Sequence, residues 1–322
     1  MTASADGRSP AGRRVVVLGG SGFLGRHLGA AFRQAGADVL TVSRTAPTQR
    51  HPTPGVRAAA MDLTGAGPER LATLLAEAGA DLVVNAAGAV WGVTPEEMQR
   101  ANADLVGDLV EAMAGLPGRP RLIQLGTVHE YGPGTVDRGT PESHPPAPVT
   151  PYGRVKLQAA DRVLAAARSD ALDGVVLRIA NIIGPGTPPG SLLGGLAERV
   201  ARLREAPDPD PVLELAPLRA SRDFVDVRDV VDAVLAVAAA PADLVSGEVV
   251  NIGSGRAVPV RHAVERLIAH SGLALRLVER EADTARTDAE WQQLDIAKAA
   301  RLLGWQPRRD LDSSLGALVA TA

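Results

Sequence analysis

Apolar runs built largely from Val, Leu, Ile and Ala recur at residues 14–18, 38–42, 56–61, 82–85, 121–125, 174–179 and 248–252, with longer stretches of helical spacing between them. Runs that are continuous rather than alternating predict strands buried on both faces, and the intervening helices supply the crossovers that parallel strands require. The expected fold class is α/β, a doubly wound parallel sheet whose ligands bind beyond the carboxyl ends of the strands. After residue 186 the pattern loosens into a Gly/Pro-rich loop, a helical run at 192–204 and the segment Pro207-Asp-Pro-Asp-Pro211. The expected organisation is a flexible tail at 1–13, a nucleotide-binding domain at 14–186 and 226–256, and a smaller, discontinuous C-terminal substrate lobe at 187–225 and 257–322.

The first apolar run leads directly into Gly19-Gly20-Ser21-Gly22-Phe23-Leu24-Gly25 and then a helical stretch. In a Rossmann sheet, Gly19 permits the tight turn, Gly22 lets backbone N–H groups approach a pyrophosphate at the helix N-terminus, and Gly25 allows close helix–strand packing. The strand before and helix after make this a dinucleotide site rather than a plain glycine-rich turn. The second run ends in Val42-Ser43-Arg44-Thr45. An acidic residue there would bind the ribose hydroxyls of NAD, whereas Ser43 and Arg44 suit a 2′-phosphate, so the expected cofactor is NADP(H). Asp62 and Leu63, after the third run, are placed to meet the adenine ring.

Composition narrows the function classes. The 322 residues are 45% hydrophobic and 22% charged, enough for a large core, and their net charge of −3 gives no footprint for nucleic acid. With no cysteine, disulfides and thiolate chemistry are impossible, and the six histidines lack metal-ligand spacing, so no metal is expected. The first ten residues have no signal-peptide apolar region and no run approaches a membrane span, so a soluble cytoplasmic protein is expected.

Only two tyrosines and two lysines occur, and one of each falls in Tyr152-Gly-Arg-Val-Lys156. On a helix these side chains share a face. Lowering a phenol from its usual value near ~10 to about 7 requires roughly 4 kcal/mol, and a cation about 4 Å away at an effective dielectric of ~20 supplies that much. These two residues alone are equally compatible with a solvated helix pair.

Several ordered segments carry a resemblance. They are Gly19-x-x-Gly22-x-x-Gly25, Asn85-Ala-Ala-Gly88, Gly126-Thr127-Val-His-Glu-Tyr131-Gly132, Tyr152-x-x-x-Lys156, Arg178-x-x-Asn181-x-x-Gly184-Pro185, Arg222-Asp-Phe-Val-Asp-Val227 and Leu303-Gly-Trp-x-Pro307. Together they resemble the extended short-chain dehydrogenase/reductase family, in its NAD-dependent epimerase/dehydratase branch. The resemblance implies that Thr127 hydrogen-bonds the reacting oxygen, that Tyr152 is the proton donor or acceptor, and that Lys156 binds the nicotinamide ribose and keeps the phenol acidic. It implies further that Asn85, Ala86, Ala87, Gly88 and Asn102 line the cofactor, that Asn181 faces the substrate, and that Arg222 and Arg286 hold a substrate diphosphate.

Departures from the family pattern select among its reactions. Sugar-nucleotide dehydratases place an acid and a base directly after the catalytic threonine, where this chain has Val128 and His129, and valine cannot transfer a proton. Redox epimerases retain NAD and usually carry an acidic residue where Arg44 stands. The Gly-Thr-Val-His-Glu-Tyr-Gly segment resembles that of 4-ketoreductases in the dTDP-deoxysugar pathways of antibiotic biosynthesis. The resemblance thus implies NADPH-dependent reduction of the C4 ketone of a dTDP-4-keto-6-deoxyhexose, with hydride going to C4 and Tyr152 delivering the proton. A sugar-nucleotide epimerase or an NADP-dependent reductase of a non-nucleotide ketone is the alternative, and a non-catalytic NADP-sensing regulator, which has no need of Thr127, Tyr152 and Lys156 together, ranks last. His129 and Glu130 receive no role, and a homodimer packed through helices around 96–113 and 152–167 is implied.

Overall fold

The computed structural model describes residues 10–45, 55–280 and 290–322. All seven apolar runs form strands: β1 (Arg14–Leu18), β2 (Asp38–Ser43), β3 (Arg57–Ala60), β4 (Leu82–Asn85), β5 (Arg121–Thr127), β6 (Asp173–Ile179) and β10 (Val249–Ile252). They join in one sheet of order β10-β6-β5-β4-β1-β2-β3, every neighbouring pair parallel. The order reverses at β1/β4, the position at which open sheets of this kind open a crevice. Strand β5 runs two residues further than its apolar run, carrying Gly126 and Thr127 into register with Arg178 and Ile179 of β6.

Helices cover both faces. On one side α1 (Phe23–Gln34) and α7 (Val227–Ala239) pack over a core that includes Val15, Val17, Phe32, Val84, Ile123, Val175 and Val234. On the other, α2 (Gly67–Glu77), α4 (Leu105–Ala114) and α5 (Pro151–Arg168) close over Val16, Leu18, Leu71, Val83, Leu109, Leu122 and Val163. Successive residues of β1 therefore enter opposite cores, which is why its sequence is apolar without alternation. The short α3 (Pro95–Gln99) begins with a capping box between Thr94 and Glu97 and leads through a π-helical turn, Arg100–Asp104, into α4.

A second body of structure surrounds the carboxyl edge of the sheet. Strands β7 (Asn181–Ile183), β9 (Ser221–Asp226) and β11 (Ala257–Pro259) form a three-stranded sheet, and β8 (Val212–Leu215) pairs with β12 (Arg276–Glu279). Helices α6 (Leu192–Glu205), α9 (Val260–Ser271) and α11 (Leu311–Ala320) enclose a third core around Leu196, Val200, Val264, Leu267 and Leu315. Between β9 and β11 the chain returns to the large sheet through α7, the short α8 (Ala242–Val245) and β10.

Two expectations are corrected here. Residues 12 and 13 are tied to the fold rather than loose, since Gly12 N donates to Gly36 O and the Arg13 guanidinium donates to the carbonyls of Ala238 and Asp81. In the C-terminal stretch expected to belong wholly to the lobe, α10 (Ala297–Leu303) and Trp305 pack instead on the large-sheet core. The buried Trp305 indole donates to Asp229 O in α7, which fixes this turn on the larger body.

Candidate active site

The glycine turn follows from close backbone approaches. Gly19 has φ +79°, and a Cβ there would lie 2.7 Å from the Ala86 and Ala87 backbone. A Cβ on Gly25 would come within 2.2 Å of Gly19 O, so α1 can seat against the turn only if this position is glycine. Gly22 occupies the N-cap of α1 without a side-chain hydrogen bond, so the first helical N–H groups have no side-chain cap. Those amides and the helix dipole suit an anion.

A cavity of about 630 Å³ opens beyond β1, β4, β5 and β6, and its walls bring together most of the expected site residues. Gly22, Phe23, Leu24, Asn85, Ala86, Ala87, Gly88 and Asn102 line one side; Thr127, His129, Tyr152 and Lys156 form the centre; Asn181 and Arg222 stand on the side of the small sheets. Ser43 and Arg44 lie beyond these walls at the end of β2, with Asp62 and Leu63 at the end of β3. Ser43 is buried and Arg44 exposed. The Asp62 carboxylate accepts from Thr64 N and Oγ, and Leu63 is buried in the core. Arg286 lies outside the described residues.

Asparagine side chains set the shape of the cavity wall beside β4. Asn85 Nδ2 donates to Gln124 Oε1 while its Oδ1 accepts from Ala87 N, bending the chain as it leaves β4. Asn102, in the π-helical turn, donates to Ala89 O and Met98 O. Its buried Oδ1 has no hydrogen-bond partner among the described residues, and it lies 2.7 Å from where a Gly88 Cβ would stand. A π-turn within a helix commonly accompanies a functional site, because the extra residue re-aims a side chain.

Helix α5 brings the tyrosine and lysine to the end of β5. Thr150 caps it by accepting from Gly153 N, and Pro151 occupies its first turn. A Cβ on Gly153 would lie 2.5 Å from His129 O, so α5 rests directly on the 3₁₀ turn Val128–Glu130 that follows Thr127. Lys156 is buried and donates from Nζ to Leu125 O. The expectation that Lys156 keeps the phenol acidic is not met by the protein groups. Burial first, and the Glu130 carboxylate second, push the Tyr152 phenol well above its ordinary value. Burial also pushes the Lys156 ammonium down, with Glu130 opposing. For Tyr152 both causes act against the ionised phenol, and Lys156 is not among the groups that shift it.

Glu130 now has a place. Its Oε1 accepts from Thr127 N at 2.8 Å, completing a capping box with Thr127 around the 3₁₀ turn, and its Oε2 pairs with Arg178 Nε at 2.7 Å. The Arg178 guanidinium lies 4.3 Å over the Tyr131 ring, and Tyr131 OH donates to Asn251 Oδ1. Glu130 therefore fixes the backbone that presents Thr127. The Thr-x-x-Glu spacing was the available sequence signal for this.

His129 faces the Tyr152 ring edge-on, with centroids 6.1 Å apart, and its Nδ1 is 3.4 Å from Gln292 Nε2. Gln292 Oε1 accepts from Asn181 Nδ2, which also donates to Asp223 O. Gln292, 1% exposed, was not anticipated from sequence; hydrogen bonds of its segment to Ser221, Thr140 and the Asp223 carboxylate bring it beside the cavity. No local pattern announces a residue delivered by such long-range pairing.

Residues 15–253 match the profile of the NAD dependent epimerase/dehydratase family. The chain is 46% identical over 299 residues to a dTDP-6-deoxy-L-talose 4-dehydrogenase (NAD(P)(+)) of Kitasatospora kifunensis, covering 92% of each chain. It is 28% identical over 319 residues to a GDP-6-deoxy-D-mannose reductase of Pseudomonas aeruginosa, covering 96% of each. Its fold matches that of the UDP-glucose 4-epimerase of Thermotoga maritima at a TM-score of 0.83, with 24% identity over 95% of this chain and 97% of the other. With a doubly wound sheet, a glycine turn at its first crossover and a profile match across most of its length, the chain belongs to the NAD dependent epimerase/dehydratase family.

Proposed function

We propose that the protein reduces the C4 ketone of a dTDP-4-keto-6-deoxyhexose using NADPH. The observation that carries this reading is the convergence of Thr127, Tyr152 and Lys156 with the glycine turn on the walls of one cavity. A phenol can give its proton to an oxygen gaining negative charge, and Thr127 Oγ can hydrogen-bond the same oxygen. The closely related Kitasatospora protein is named for oxidoreduction at C4 of a dTDP-6-deoxyhexose, the same chemistry written in the oxidative direction.

The residues present fit a dinucleotide. The glycine turn would take the pyrophosphate, Ser43 and Arg44 the 2′-phosphate, Asp62 and Leu63 the adenine side, and Ala86, Ala87, Gly88, Asn102, Tyr152 and Lys156 the nicotinamide end. The unpartnered Asn102 Oδ1 and the close backbone approaches at Gly19 and Gly25 support this fit. When bound, the cofactor supplies the hydride. Tyr152 then gives its proton to the ketone oxygen, Lys156 orients the ribose, Asn181 holds the sugar, and Arg222 and Arg286 take the diphosphate. Val128, buried and without an ionisable group, leaves no acid for dehydration at that position. The same reading includes a homodimer through α4 and α5.

The test is NADPH consumption with dTDP-4-keto-6-deoxyglucose. Stoichiometric loss of NADPH and formation of the 4-hydroxyl product are expected; interconversion of sugars without net cofactor use, or no turnover, would overturn the reading. Binding of dTDP should raise the melting temperature, and absence of any shift would remove the sugar-nucleotide part.

A further inference from the structure

Among the described residues, only five large apolar side chains are exposed, and two of them, Trp91 and Leu192, stand on the walls of the same cavity. Trp91 is the one aromatic of the five and is 51% exposed. It lies in the loop that leaves β4, whereas its support comes from the other side of the mouth. A Cβ built on Gly190 would be 3.1–3.2 Å from the indole atoms Cδ2, Cε3 and Cγ, so the indole packs on the Gly190 backbone and a larger residue there would push it aside. Val90 and Ile182, both half-buried, line the cavity as well. A large aromatic left open to solvent on the wall of a cavity marks a surface that an apolar part of a ligand covers.

On a 6-deoxyhexose the largest apolar group is the C6 methyl, carried on the carbon next to the reacting C4. We propose that Trp91, seated on Gly190, is a specificity-determining residue for the 6-deoxy position, forming with Val90, Ile182 and Leu192 the apolar wall that receives this methyl. The inference rests on the functional reading above and names what that reading leaves open: why a 6-deoxy sugar is preferred over one that keeps its 6-hydroxyl. A hydroxymethyl group placed on this wall gives up its water for side chains of which only the Trp91 indole N–H is a hydrogen-bonding group. Apolar pockets discriminate against an added hydroxyl only moderately, by about 100-fold.

The experiment compares kcat/KM for dTDP-4-keto-6-deoxyglucose and dTDP-4-ketoglucose. Wild type should prefer the deoxy substrate by roughly 10–200-fold. Trp91→Gln should reduce the ratio to within about threefold, Trp91→Phe should keep most of it, and Gly190→Val should lose it by displacing the indole. Melting temperature and NADPH affinity, measured alongside, should stay at wild-type values in Trp91→Gln. A preference that survives in Trp91→Gln overturns the proposal, as does a wild type that reduces both sugars equally. Calorimetric binding of dTDP-6-deoxyglucose against dTDP-glucose requires no turnover and separates the two readings. A deoxy preference that Trp91→Gln abolishes supports the wall even where no ketone is reduced, and equal affinities in wild type overturn it.

Discussion

Two groupings of ionisable side chains stand side by side at the end of β5 and are built on opposite principles, Glu130 with Arg178 fully buried and the half-buried Tyr152 with the buried Lys156 on the cavity wall. Glu130 and Arg178 have each other, the Thr127 amide and the Tyr131 ring as partners. Burial pushes the Glu130 carboxyl up, and Arg178 and the Thr127 amide pull it back. Tyr152 and Lys156 are supplied far less: the phenol is pushed up, the ammonium is pushed down, and the lysine hydrogen bond is to a neutral carbonyl. Buried charge that is fully partnered acts as framework, because removing either partner strands the other. Buried ionisable groups that the fold leaves under-compensated are the ones available to chemistry.

The contrast can be broken by substitution. Tyr152→Phe should lower kcat by about 10²–10⁴-fold with little change in NADPH affinity or melting temperature; near-normal turnover would remove Tyr152 from the mechanism. Arg178→Met should destabilise the fold by about 3–5 kcal/mol, since it leaves Glu130 charged and buried without its cation. Denaturant unfolding checks this, and a loss below about 1 kcal/mol would mean the pair is not framework. Lys156→Met should depress turnover yet leave stability unchanged or raised, the reverse of Arg178→Met.

The pH dependence sharpens the same point. Because its folded-state value is lowered by burial, Lys156 costs stability most at low pH, where the folded chain has to hold a buried charge, and the cost is relieved as pH rises through that lowered value towards ~10.5. Any stability advantage of Lys156→Met should therefore shrink as pH increases. Tyr152 behaves oppositely: its raised value leaves stability intact below pH ~10 and costs stability above it. Arg44, exposed at the end of β2, provides the solvated baseline. Arg44→Ala should weaken NADPH binding by about tenfold, on the order of 1.4 kcal/mol, while leaving NADH binding and the melting temperature unchanged. Equal effects on both cofactors would refute the 2′-phosphate assignment.

The large sheet was legible because its strands are sandwiched between two apolar cores, which forces continuous hydrophobic runs. Legibility stopped where burial is polar. Gly126 and Thr127 extend β5 without apolar character, so the strand end that bears Thr127 escaped the pattern. Trp91 and Gln292 sit in loops whose positions depend on Gly190, Ser221, Thr140 and Asp223, residues distant in sequence. The spacing of Tyr152 and Lys156 revealed that they share a face. It could not reveal that Lys156 is buried with its ammonium on Leu125 O, because burial is a property of what packs around the pair.

The Gly153 contact has a mechanical meaning. Where α5 rests on His129 O, two backbones touch with no side chain between them. The offset between phenol and threonine is then set as by a gauge block, by main-chain thickness and not by the fit of variable side chains. Under the proposed function, redesign of the cavity wall at Trp91, Ile182 or Leu192 should alter which substrate is accepted without moving Tyr152, whereas a residue larger than glycine at 153 has to push α5 away from His129 O.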